Sequence, residues 1–173
     1  MTYLLRMVGK SKWNQIEPSM KVEEYPSHPV TADLKTDVKN RLSVWRIESL
    51  ENKKEIEDIA VALGVCRDQI NKIEMVVLSE DELLESGFEI TNDPDSANSL
   101  EEYNHMHRDI AKLKYQCIGQ FAEHIVNALN DEKNFVLYTK KQLKSLIKKR
   151  IDSKEIGTIF FESKEEMKKE LGL

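Results

Sequence analysis

Apolar and polar positions alternate or cluster along this chain in ways that predict most of its elements. Tyr3 to Val8 is an apolar, β-compatible run closed by Gly9, and predicts a strand. Ser43-Val-Trp-Arg-Ile47 alternates and is rich in β-formers, a second strand. Ile73 to Leu78 is apolar apart from Glu74, as a strand buried on both sides would be. Phe88 to Thr91, Phe135 to Tyr138 and Thr158 to Phe161 are three further short strand candidates. Residues 10 to 30 hold Pro18, Pro26 and Pro29 and read as mostly irregular or edge structure.

Helical periods fall between these runs. Ile56, Ile59, Ala60 and Leu63 share one helical face, and Gly64 follows them. Ile110, Leu113, Cys117, Phe121, Ile125 and Leu129 step by three or four, which predicts one long central helix over about residues 100–129. Ser79-Glu-Asp-Glu82, Ser99-Leu-Glu-Glu102, Thr139-Lys-Lys-Gln142 and Ser163-Lys-Glu-Glu166 each match a capping box, in which hydroxyl and N3 side chain satisfy each other's backbone amides. They place helix starts near residues 80, 100, 140 and 164, the last opening a short terminal helix over 164–173. Strands and helices interleave, yet several connections are too short for helical crossovers. The expected fold is a single α+β domain over 1–173. It has a mixed or antiparallel sheet of about five to six strands, with helices mainly on one face.

Composition changes this picture little. A chain of 173 residues, 40% apolar and 33% charged, can bury a core without disulfide or metal support. Two cysteines, Cys66 and Cys117, fit a reducing compartment, and each reads as an interior residue. The N-terminal apolar run is short and interrupted by Arg6, so no signal peptide is expected. No run approaches the ~20 apolar residues of a membrane span. A soluble, cytoplasmic protein with no membrane partner is the expectation.

Charge is more informative. Between Ile73 and His107 there is no lysine or arginine, while Glu74, Glu80, Asp81, Glu82, Glu85, Glu89, Asp93, Asp95, Glu101 and Glu102 accumulate. From Lys133 to Ile151 the sign reverses. There Lys140, Lys144 and Lys148 recur at i, i+4 opposite Leu143, Leu146 and Ile147, as in a basic amphipathic helix. Helix N-termini favour acids. Once that is discounted, Glu85, Glu89, Asp93 and Asp95 against the lysine row remain as candidate partner-binding residues.

Motifs for chemistry are thin. Val8-Gly9-Lys10-Ser11 ends like a phosphate-binding loop, but Leu4 stands where G-x-x-x-x-G-K-[ST] needs its first glycine. Thr91 to Glu102 echoes a calcium loop through Asp93, Asp95 and Glu102, with Ser96 in place of the required glycine. His105 and Asp109, four apart, are the weak candidates for a metal. His107 diverges from His105 by about 200° on a helix and falls with Ile110, Cys117 and Phe121. Asp33, Asp37, Arg41 and Arg46, with His107, are the weak catalytic candidates; Asp33 and Asp37 would project together if that stretch were helical.

No cofactor is expected. The reading that fits best is a non-enzymatic interaction protein of adaptor, inhibitor, immunity or antitoxin type in a bacterial-type cytosol. It would dock a protein partner through segregated acidic and basic surfaces. A divalent-metal hydrolase or nuclease using Asp and His groups comes next. A nucleic-acid-binding module built on the 140–150 helix is compatible but not favoured. The charge pattern also suits a second copy of the chain.

Overall fold

The computed structural model describes residues 2–92 and 100–173. It is an α+β fold around one six-stranded sheet. The strands are β1 (Tyr3–Met7), β2 (Leu42–Ile47), β3 (Ile73–Ser79), β4 (Glu89–Thr91), β5 (His107–Ala111) and β6 (Phe135–Tyr138). They run in the order β4-β5-β2-β1-β3-β6, and every neighbouring pair is antiparallel.

Strand alternation divides the core into two layers. Leu5, Trp45, Ile47, Met75 and Val77 point to one side, where α3 (Lys53–Val65), α6 (Lys140–Asp152) and α7 (Glu165–Leu171) cover them. Leu4, Leu42, Val44, Val76 and Leu78 point to the other. There α1 (Lys10–Trp13), α2 (Ser27–Asp33), α4 (Glu80–Glu85) and α5 (Tyr115–Leu129) complete the layer. Helices therefore lie on both faces, not mainly on one. The reason was already in the apolar run of β3: Met75, Val76, Val77 and Leu78 are all buried, and a strand apolar on both sides needs cover on both sides.

The long helix over 100–129 is shorter than the periodicity implied. Glu101–Met106 forms 3-10 turns, His107–Ala111 is strand β5, and only Tyr115–Leu129 is α-helical. β5 pairs on both edges, with β2 and with β4, so sheet hydrogen bonding outcompetes a local helical pattern. Lys112 then takes a left-handed conformation (φ 54°), which breaks the strand before α5 begins. Ile110 and Leu113 still reach the same core layer as Phe121 and Ile125. The stripe was a true core signal attached to the wrong backbone.

Thr158–Phe161 is a 3-10 turn and not a strand. Residues 10–30 contain helical turns, α1 and the first part of α2, with Pro29 in the opening turn of α2. Proline is tolerated there because first-turn amides have no intrahelical acceptor. The Thr139–Gln142 capping box forms in full. Ser79 caps α4 through the Glu82 amide. At the last helix the N-cap is Lys164 without a side-chain bond, so the Ser163 box does not form. Ser99, Asp93, Asp95 and the calcium-like pattern lie outside the described residues in whole or in part. Cys66 is exposed and Cys117 half-buried, so neither is an interior thiol. Among the described residues no helix is long and apolar enough to cross a membrane.

Candidate functional site

The residues singled out in the sequence divide among several places. Asp33 ends α2 and is buried at 8% exposure. Its carboxylate accepts hydrogen bonds from the Gly9 amide at 2.7 Å, the Trp13 indole at 2.8 Å and Lys12 Nζ at 2.6 Å. Burial pushes the Asp33 carboxyl up, but the bonds from Lys12, Gly9 and Trp13 outweigh it and hold the group below its ordinary value. Asp33 is thus a structural hub that ties α1 to α2. Asp37 lies beyond α2, so the two aspartates share no helical face.

The Gly9-Lys10-Ser11 segment sits at this hub. The Gly9 amide, which a phosphate loop would aim at a ligand, is already given to Asp33 Oδ2. Lys10 Nζ lies over the Phe135 ring, 4.4 Å from its centre. An internal carboxylate occupies the role an NTP phosphate would take there.

Asp37, Arg41, Asp109 and His107 do come together, at the β2–β5 edge. Asp37 accepts from the Lys39 and Arg41 amides and from Arg41 Nε, each within 2.9 Å. Arg41 Nη1 lies 3.7 Å from Asp109 Oδ2. The register pairs Ser43 with Asp109 and Trp45 with His107, which puts all four on one sheet face. His107 is therefore on the opposite face from Ile110, not beside it. His107 Nε2 contacts Ser43 Oγ at 2.6 Å, and its ring meets Trp45 edge-on at 5.2 Å. Asp109 Oδ1 lies 3.9 Å from that same Nε2. In a serine–histidine–carboxylate relay the acid must hold the other ring nitrogen. The trio here is ordered differently, as a polar array in which His107 and Asp109 are buried and Ser43 is exposed.

His105 is exposed in the 3-10 segment, its Nδ1 2.9 Å from the Glu102 carbonyl. Because Asp109 belongs to a strand, the i, i+4 pairing of His105 and Asp109 does not exist. Among the described residues no group of three or more His, Cys, Asp or Glu is placed to hold a metal ion. Arg46 leaves the polar segment altogether: its Nε bonds Glu80 at 2.8 Å, and Glu48 is 3.5 Å from Nη1.

The charge blocks are reshaped by folding. Glu80 is taken by Arg46 and Glu89 by Lys112, at 2.7 Å. Asp81, Glu82 and Glu85 remain exposed on α4, around a half-exposed Leu84 (50%). A cleft of about 610 Å³ opens beside them, lined by Glu82, Glu85, His124, Asn127, Asp131 and Asn134. On α6, Lys140 bonds Glu170 of α7 at 2.9 Å. Lys148 Nζ lies next to Gly172 at the end of the same helix. Arg150 is buried and reaches Asp58 on α3. Much of the lysine row thus faces α7.

Sequence reasoning passed over a cavity of about 250 Å³ at the C-terminal end of β1. Arg6, Lys12, Arg67 and Lys72 surround it, with Asp33 and Glu74. Its one available signal was Arg6, a lone charge inside a central apolar strand. Comparison with family models, with curated proteins and with solved structures found no match to the chain.

Proposed function

We propose that this protein is a non-enzymatic interaction protein that docks a basic segment of a protein partner on its α4 face. The observation that carries the reading is the acidic surface of α4: Glu82 and Glu85 line the cleft whose wall includes Asp131, and the exposed Asp81 and Leu84 stand on the same helix. An apolar contact ringed by like charges suits a partner with complementary charge and one apolar anchor. Glu85 is exposed and belongs to the proposed surface, whereas Glu89 is paired with Lys112. The lysines of α6 offer less for nucleic acid, since Lys140 is committed to Glu170.

The test is cross-linked capture with the wild-type chain, with E82K/E85K, and with K141E/K149E as a control. Captured candidates are then purified and titrated. The reading requires a partner whose binding weakens with salt, is lost in E82K/E85K and survives in the control. A partner indifferent to E82K/E85K would overturn it.

The hydrolase reading keeps one supporting observation, the 2.6 Å contact between Ser43 and His107 beside Asp109. It requires the melting temperature to rise with Mg²⁺, Mn²⁺, Ca²⁺ or Zn²⁺, since a metal bound to the folded state stabilises it. An unchanged melting temperature across all four would end it.

A further inference from the structure

We propose that the cavity between the end of β1, α1 and the loop after α3 binds a small molecule bearing a tetrahedral oxyanion, free phosphate or a phosphomonoester, with Arg6 and Arg67 as its ligands. Four cations and two carboxylates line the cavity. The carboxylates are each matched to a lysine: Lys12 to Asp33 at 2.6 Å, and Lys72 to Glu74 at 2.8 Å. The two guanidinium groups are left with neutral acceptors. Arg6 donates through Nη1 to the Ser43 carbonyl at 2.7 Å and through Nη2 to the Asp33 carbonyl. Arg67 donates to the Lys72 carbonyl at 3.2 Å and to Met7 Sδ at 2.8 Å. Arg6 Nε is buried and has no hydrogen-bond partner.

Holding the largely buried Arg6 and the half-buried Arg67 side by side against carbonyls and a thioether is costly, and the natural compensation is an anion between them. Burial alone pulls Arg67 below its ordinary value. It lowers Arg6 to about 10 despite the nearby Asp33 charge. Planar guanidinium forks match the oxygen spacing of phosphate and carboxylate groups. The volume lies below the roughly 300–1,000 Å³ of pockets for drug-sized ligands, which favours a small anion over a nucleotide. The backbone takes no part, because the Gly9 amide is spent on Asp33. This site is independent of the α4 face and stands or falls separately.

The experiment titrates the full chain with inorganic phosphate, glycerol phosphate and acetate at fixed ionic strength, read by calorimetry and by amide shifts in a ¹H–¹⁵N spectrum. Saturable phosphate binding is expected, with shifts centred on Gly9, Arg67 and Lys72. R67Q should weaken it about tenfold or more, the usual weight of a charge-assisted bond. K141E/K149E, on α6 and outside the cavity lining, should leave it intact. R67Q is the variant of choice because Arg67 lies in the loop after α3 and gives its bonds to the Lys72 carbonyl and Met7 Sδ; matched thermal unfolding checks that the variant folds. Glycerol phosphate binding more tightly than phosphate identifies a monoester ligand, and the reverse identifies the free ion. No saturation by either, acetate binding as well as phosphate, or full binding by a folded R67Q would each overturn the proposal.

Discussion

Asp58 and Arg150 meet at 2.5 Å across the seam between α3 and α6, ninety-two positions apart in the chain. Arg150 closes the run of bases on α6, yet it is buried and turned inward, with Glu155 as its second acid at 2.8 Å. Burial pushes the Asp58 carboxyl above its ordinary value, with the Arg150 charge opposing. Losing one partner of such a pair strands the other. R150M is therefore expected to cost about 3 kcal/mol, and D58N added to it should recover part of that loss. Urea unfolding of the two single variants and the double variant checks the coupling; additive losses would show that the pair contributes nothing as a pair.

Asp33 gives the fold an acid-sensitive point. Its folded pKa lies below the ordinary 3.8, so its stabilisation is present above that value and drains away as pH falls through the lower one. D33N should cost about 2 kcal/mol near neutrality by weakening three inward-facing bonds at once. The gap between wild type and D33N should close as pH falls below about 4. Unfolding curves across that range read it directly, and a gap independent of pH would show that the Asp33 charge is not what matters.

His124 has the opposite chemistry but the same direction. Burial lowers its pKa from 6.5, outweighing the pull of Glu82 and Glu123. The folded state prefers the neutral ring, which lies edge-on to Phe88 and bonds Ser86 at 3.1 Å. Stability contributed by that preference is complete above the unfolded value and declines as pH falls below it. H124Q should flatten the wild-type loss between about pH 7 and 5. Equal slopes for both proteins would remove His124 as the cause.

Gly64 of α3 packs tightly against Leu143 of α6. A methyl group there would lie 2.9 Å from Leu143 Cδ2, and Leu143 is fully buried. Helix propensity alone would favour alanine by about 1 kcal/mol. Overpacking in this seam costs about 1–3 kcal/mol, so G64A is expected to be net destabilising. Pairing it with L143V should relieve the clash, and a melting temperature unchanged or raised in G64A alone would contradict the close approach.

Five of the six strands were legible because their runs are apolar, aromatic or alternating, and three of the four capping-box motifs precede α-helices, though the Ser163 box itself does not form. What was not legible depended on partners distant in sequence. His107-Arg-Asp-Ile-Ala111 has no strong preference of its own and becomes a strand only because β2 and β4 are waiting on either side. The same applies to the sites. Asp33 and Arg46 lie close in sequence but end on different structures, one clamping α1 and the other holding the Glu80 side chain at the start of α4. Arg67 and Lys72 follow α3 in the sequence, and only the end of β1 makes them neighbours of Arg6.

The strand order also sets a timetable. β1 lies inside the sheet between β2 and β3, so these three adjacent strands have all been synthesised once the chain reaches Ser79. α3 is complete by then, but α6 and α7, which close the same layer, are made later. A chain emerging N-terminus first would hold Leu5, Met75 and Val77 under one helix until α6 and α7 arrive. The late C-terminal helices thus act as the lid on a core begun at the other end.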